Sequence, residues 1–303
     1  MTDASITLRP PAGVVLSLIL GVHRRGRADP TYRVGPDGSL WRTARTPHGP
    51  GTVHLRSDDE LVHARAWGPG ASWLCAKVPD WLGEADDLRG FSPQHPLLAE
   101  VARRVHGPRV GRTGLVMEAL VPAVLEQKVT GGESRRAWCR LVTRHGEPAP
   151  GPAPQGMRVV PSVAAWARIP SWDWHRAGVG PQRSATIVRA CRVAHRLEEV
   201  TRLDDGEADT RLRSVPGIGA WTSAEVRQRA CGAVDAVSVG DAHLPRLVVY
   251  ALTGRVSDSD EDMLAALEPY RGHRYRAQRL VELSGVTAPR FGPRYAPHDF
   301  RAL

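Results

Sequence analysis

The chain has 303 residues, enough to bury a sizeable core and to hold two domains. Its formal net charge is +9, carried almost wholly by arginine, since Lys77 and Lys128 are the only lysines. Guanidinium forks meet phosphate at two points, so this balance suits a polyanion partner. It gives no support to a membrane protein or a metal-stapled one. The apolar run Val14–Leu20 is too short to span a bilayer and lacks a signal peptide's basic start and cleavage site. Cys75, Cys139, Cys191 and Cys231 stand far apart with no zinc spacing.

Taken in order, the first elements read as strands. Ser5–Arg9 alternates, Pro36-Asp37-Gly38 turns between Tyr32–Val34 and Leu40–Thr43, and Leu61–Trp67 alternates less cleanly. In Thr52–Arg56, Val53 and Leu55 face one side while Thr52, His54 and Arg56 face the other. Residues 1–92 are therefore expected to form a β-rich domain with a helix or two, using Trp67, Trp73 and Trp81 as core or interface residues.

From Pro93 the period becomes helical. Leu97, Leu98, Val101 and Val105 share a face, and Val116, Leu120, Val124 and Gln127 fall on the stripe of the next helix. Pro122 predicts a kink or a late start there. Ala137, Trp138, Leu141 and Val142 face inward on the following helix, with Arg135, Arg136, Arg140 and Arg144 mostly away from them. Residues 146–161, with alternating prolines, read as an extended linker or surface loop. Ser162 caps a short helix, and Gly180-Pro181 opens a longer one whose stripe runs from Ile187 to Leu197.

Then comes Val215-Pro216-Gly217-Ile218-Gly219-Ala220-Trp221-Thr222. A helix ends near Val215, Pro216-Gly217 breaks it, and a new helix is expected from about Thr222 to Ala230. Two glycines leave backbone N–H groups free to converge on one anion, and the second helix adds its positive dipole end. Asp241 follows, opening another apolar run, which is the usual place of a helix N-cap. Asp260–Leu267 and His273–Leu283 predict two more helices, and a tail of interleaved arginines and aromatics ends the sequence.

The hairpin followed by Asp241 resembles the helix–hairpin–helix DNA glycosylases, most closely the bacterial alkylpurine enzymes. The resemblance extends through Leu115–Val142 and Ala177–Val193. It implies an α+β fold: a β-rich domain (1–92), an all-α helix–hairpin–helix glycosylase domain (93–285) and an irregular basic tail (286–303). It further implies base-excision repair of damaged, chiefly alkylated, purines in double-stranded DNA by a cytoplasmic monomer. Asp241 takes the place of the catalytic carboxylate, and Gly217, Gly219 and Thr222 that of the phosphate grip. Gln127 takes the minor-groove glutamine's place, and Lys128 stands where a relative inserts an apolar wedge. Trp221 matches a pocket aromatic and occupies the position at which strand-cutting relatives carry a Schiff-base lysine, so a monofunctional enzyme is expected. Glu225 replaces a second pocket aromatic. No cofactor, metal or iron–sulfur cluster is expected. Loss of pocket aromatics favours one alternative, a non-catalytic DNA-binding protein; another is a glycosylase for oxidised or deaminated bases, against several of which the missing lysine and cluster cysteines count.

Overall fold

The computed structural model describes residues 2–58, 60–106 and 108–289. The aromatic and basic tail from Arg290 onward lies outside the described residues.

The N-terminal strands β1 (Asp3–Leu8), β2 (Tyr32–Val34), β3 (Leu40–Thr46), β4 (Gly49–Ser57) and β5 (Val62–Trp67) form an antiparallel sheet in the order β1-β5-β4-β3-β2. Val14–Leu20 contains a short helix, α1 (Leu16–Ile19), with Leu20 fully buried. Helix α2 (Ala71–Trp81) covers one face of the sheet, packing Leu74, Val78 and Trp81 into a core with Val53, Leu55, Ala64 and Ala66. The other face is also covered, so Thr52 is buried rather than solvated. Trp41 stacks on His54 and Trp67 there, with ring centroids 4.1 and 5.5 Å apart.

A second cover on that face is the stretch expected to be a linker. Residues 146–161 instead form a ribbon of β6 (Glu147–Pro148) and β7 (Arg158–Val159) docked on the sheet. Thr43 Oγ1 donates to the Arg158 carbonyl at 2.6 Å, Arg45 Nε to the Val160 carbonyl at 3.0 Å, and Arg158 N–H to the Pro30 carbonyl at 2.8 Å. Burial of Met157, Val159 and Val160 outweighs the extended tendency of the prolines.

The helices divide between two further cores. The first surrounds α4 (Val116–Glu126), α5 (Gly131–His145), α6 (Val163–Arg168), α7 (Ser171–Arg176), α8 (Pro181–Arg192), α9 (Ala194–Glu198), α10 (Asp205–Arg213) and α11 (Ala220–Val226). Helix α4 is its axis. Every residue from Val116 to Leu125 except Glu118 is buried, so no single stripe describes it, and it continues through Pro122 without the expected late start. Its first N–H groups, on Val116 and Met117, donate to the Glu198 carboxylate at 2.8 and 2.9 Å. Burial raises the Glu198 pKa, although these two bonds oppose the shift. The stripe expected from Ile187 to Leu197 breaks at Val193, where α8 ends and α9 begins.

The last core joins α3 (Pro96–Arg104) to α12 (Leu244–Thr253), α13 (Asp260–Leu267) and α14 (Arg274–Leu283), pairing Leu98 and Val101 with Val248, Met263 and Leu280. A fully buried ion pair fixes α14: Arg276 reaches the two Asp86 oxygens at 2.5 and 2.8 Å. No described helix is long and apolar enough to cross a membrane.

Candidate active site

The hairpin is α10, the loop Ser214–Gly219 and α11. Asp204 caps α10 by accepting the Glu207 N–H at 2.8 Å. Four side chains brace the hairpin: Asp209 Oδ1 accepts from Ser223 Oγ at 2.7 Å and from Arg227 at 3.2 Å, and Arg227 also reaches Asp205 at 2.5 Å. Val215 and Ile218 anchor the loop in the core, leaving Pro216, Gly217 and Gly219 exposed between them. Helix α11 starts at Ala220, two residues earlier than its sequence pattern indicates, and gives way after Val226 to a π-type turn over Arg227–Cys231. Its first-turn N–H groups have no acceptor within the helix, as at any helix N-terminus, and carry the positive end of its dipole.

The two glycines do different work. Gly217 has φ +99°, and a Cβ there would lie 2.1 Å from Thr186 Oγ1. Gly219 has extended φ −95° and ψ −176°, and a Cβ there would meet nothing within 4 Å. Gly217 therefore serves the protein's own backbone, whereas Gly219 keeps an outward surface bare. Gly217→Ala is expected to cost on the order of 2 kcal/mol of stability, from both the left-handed backbone and the clash. A thermal melt unchanged from the parent would refute that assignment.

Gln127 lies at the end of α4. Its Nε2 donates to the Gly217 carbonyl at 2.9 Å and to Thr222 Oγ1 at 2.8 Å. Both amide protons are thus spent on the hairpin, and Gln127 acts on the loop before it can act on any ligand. Thr222 is buried beneath this contact. Lys128 follows, exposed and with φ +54°, a left-handed backbone that a non-glycine residue adopts at a cost of about 1–2 kcal/mol. Arg183 stabilises this end of α4 from below, donating to the Leu125 carbonyl at 2.8 Å.

Trp221 and Asp241 come together. The indole Nε1–H donates to Asp241 Oδ2 at 2.9 Å, while Oδ1 accepts the N–H groups of His243 and Leu244 at 2.8 and 2.9 Å. Asp241 is thus not the N-cap of α12, a position His243 holds, but it ties down the two N–H groups at the helix entrance, and Trp221 holds the carboxylate from the hairpin side. The group is half-buried, so part of it remains reachable. Its neighbour in sequence, Asp235, is committed elsewhere. It receives Arg274 Nε at 2.9 Å, Arg274 Nη2 at 2.5 Å and the Arg274 N–H at 2.9 Å. Burial pushes the Asp235 pKa up, but Arg274 more than offsets this and leaves it below the usual carboxylate range.

One turn along α11 from Trp221, Glu225 enters a network of charges that the sequence did not reveal. Its Oε1 accepts from Ser238 Oγ at 2.7 Å and its Oε2 pairs with Arg229 at 2.7 Å. Arg25, from the N-terminal region, pairs with Glu126 at 2.8 Å, and Arg279 of α14 pairs with Glu282. Burial works against the Arg229 charge, yet Glu225 first, then Tyr275, Glu126 and Glu282, hold its pKa above the ordinary arginine value. His23, pushed well below its usual value by burial and by Arg42, Arg229 and Arg25, adds no opposing charge near neutral pH. These residues come from four separate segments, which is why no local motif announces them.

The four cysteines are free thiols in separate places; burial pushes Cys191 up to about 11 and Cys231 up to about 12. Among the described residues no group of three or more His, Cys, Asp or Glu side chains is arranged to hold a metal ion.

No family model matches the chain. Two curated proteins of Mycobacterium tuberculosis, each described as a probable bifunctional transcriptional activator/DNA repair enzyme AlkA, are 27% identical over 232 residues. That match covers 73% of this chain but 46% of theirs, so the chain spans about half the length of these relatives. Among solved structures, the 3-methyladenine DNA glycosylase of Archaeoglobus fulgidus superposes with a TM-score of 0.72 at 16% identity, covering 92% of this chain and 98% of its own. The 8-oxoguanine glycosylase/lyase of Clostridium acetobutylicum gives 0.73 at 14% identity, covering 94% and 97%. The braced hairpin and the carboxylate that follows it thus stand in a chain that resembles a DNA repair enzyme in sequence and shares its fold with DNA glycosylases, 3-methyladenine and 8-oxoguanine enzymes among them.

Proposed function

We propose that the protein is a monofunctional DNA N-glycosylase of base-excision repair, hydrolysing damaged purines, alkylated ones first, from nucleotides flipped out of duplex DNA. The observation that carries this reading is the Asp241 carboxylate, fixed by three N–H donors next to the hairpin. Departure of the base leaves positive charge on the sugar, spread over C1′ and the ring oxygen. A prepositioned carboxylate stabilises that charge and orients water toward C1′. A base that is already cationic, such as 7-methylguanine or 3-methyladenine, leaves without a strong acid, so one carboxylate suffices. The bare Gly219 surface and the N-terminal dipole of α11 grip a phosphate while the nucleotide is extruded. The direct test is to incubate the protein with methylated duplex DNA and identify the released bases by chromatography. Release of 7-methylguanine or 3-methyladenine supports the reading, and intact DNA refutes it.

Binding to duplex DNA is expected to weaken steeply between about 50 and 200 mM salt, as phosphate neutralisation releases counterions. A dissociation constant that stays flat over that range would contradict an interface built on the hairpin. Strand cutting is expected to be absent, because Trp221 stands in the lysine's place. Borohydride treatment with abasic-site DNA tests this. Lys128, next to Gln127, is the lysine whose adduct would overturn it, and Lys128→Ala identifies such an adduct.

One observation favours a second reading, excision of neutral oxidised or deaminated purines. Glu225 and Arg229 put an acceptor and a donor side by side where the alkylpurine enzymes carry an aromatic. Such a pair complements the N–H and C=O edge of a purine lactam better than it attracts a cation. Parallel release assays on hypoxanthine-containing and methylated duplexes separate the two.

A further inference from the structure

Behind the hairpin, on the side formed by α8, α9 and α10, lies an open groove of about 900 Å³. Its floor is apolar. Val193, Leu197 and Leu203 lie along it, and Pro216 of the hairpin loop closes one end. Its rim is cationic: Arg189, Arg192 and Arg196 are exposed along one wall. None of these three forms an ion pair among the described residues. Arg189 donates only to the Pro216 carbonyl, at 3.2 Å. Glu207, on the α10 wall, is the single carboxylate among the lining residues.

Unpaired arginines crowded over an apolar floor are left with two unmet demands, repulsion along the rim and wetted hydrocarbon below it. A nucleic-acid backbone would meet the first and leave the second. The protein's own C-terminal tail, with Arg290, Arg294 and Arg301, has the wrong sign. A peptide that alternates carboxylates with apolar side chains meets both demands. Its acids pair with the rim, and its apolar residues cover Val193, Leu197 and Leu203. We propose that this groove docks an acidic, apolar-spaced segment of a partner protein. The site abuts the hairpin through Pro216 but uses neither Gly219 nor Asp241, so a partner can be held beside the DNA grip.

The test uses the full chain and a short fluorescein-labelled peptide of Asp-Leu repeats, read by anisotropy. An Asp-Ser repeat peptide and an abasic-site duplex serve as comparison ligands. The Asp-Leu peptide is expected to bind in a salt-sensitive manner and the Asp-Ser peptide at least about tenfold more weakly, because it cannot cover the floor. Arg192→Glu combined with Arg196→Glu is expected to weaken the Asp-Leu peptide by on the order of tenfold or more. Both side chains are exposed and unpaired, so the melting curve should hold, and duplex affinity should fall far less than peptide affinity, by no more than the loss of overall positive charge brings. Leu203→Asp provides an independent floor variant with the same expected loss of peptide and retention of DNA. The proposal is overturned if the Asp-Leu peptide does not bind, or if the Asp-Ser peptide binds equally. It is also overturned if the arginine variant loses duplex affinity as strongly as peptide affinity, a result that assigns the groove to DNA.

Discussion

Asp241→Asn is expected to slow single-turnover release of a damaged base by on the order of 100-fold or more, because it removes the fixed negative charge facing the developing sugar cation. The amide is nearly isosteric but not neutral to the local structure. Asp241 accepts on both oxygens, from Trp221 on one side and from the His243 and Leu244 N–H groups on the other. Asparagine has one acceptor oxygen, so either the indole or the backbone pair loses its partner. The expected cost in stability is about 1 kcal/mol. Duplex affinity should be unchanged or slightly tighter, since a carboxylate near phosphates repels them. Asp235→Asn is the control with the opposite signature. It strips Arg274 of its partner, so it should lower the melting temperature while keeping most of the activity. If Asp241→Asn releases bases at the parent rate and Asp235→Asn does not, the carboxylate assignment is wrong. If neither the parent nor any variant releases a base from alkylated, oxidised or deaminated DNA, a non-catalytic DNA-binding protein becomes the better description.

Gly219→Val should separate binding from folding. Its backbone is already extended and its Cβ position is open, so valine fits the free protein. Loss of the preferred glycine N-cap costs less than about 1 kcal/mol. In contact with DNA the added isopropyl group pushes the phosphate away from the first turn of α11. Abasic-site duplex affinity should then fall by about tenfold or more, with an unaltered melt. Equal affinity for the parent and Gly219→Val would place the phosphate contact elsewhere. The comparison with Gly217→Ala is informative, since that variant is expected to fail first as a fold.

The parts of this molecule that depend on neighbours in sequence were legible before any coordinates. The turn at Asp37-Gly38, the Ser162 cap, the Pro181 helix start and the hairpin itself are each written within a few residues, where backbone chemistry decides the outcome. Asp241 could be singled out because it stands a short way past the hairpin, but its bond to Trp221 is a tertiary fact. The Glu225 network was not legible, since its members come from segments as distant as Arg25 and Arg279. The proline-rich ribbon misled for a related reason. Its composition describes a solvated strand, while the few apolar residues at its end find a sheet face that sequence alone does not locate. Gln127 was expected on a helical stripe, yet it stands just past the end of α4 in extended backbone, with its amide turned to the hairpin.

The bond between Trp221 and Asp241 also crosses a seam. Helix α11 is packed in the core around α4, whereas the N–H of Leu244 belongs to the helix that opens the C-terminal core. The carboxylate is thus a rivet with one head in each half of the helical region. Any parting of the halves must stretch or break one of these bonds. The indole, carrying its own fluorescence, sits on that rivet, so the chain holds a built-in gauge of whether its two halves are closed.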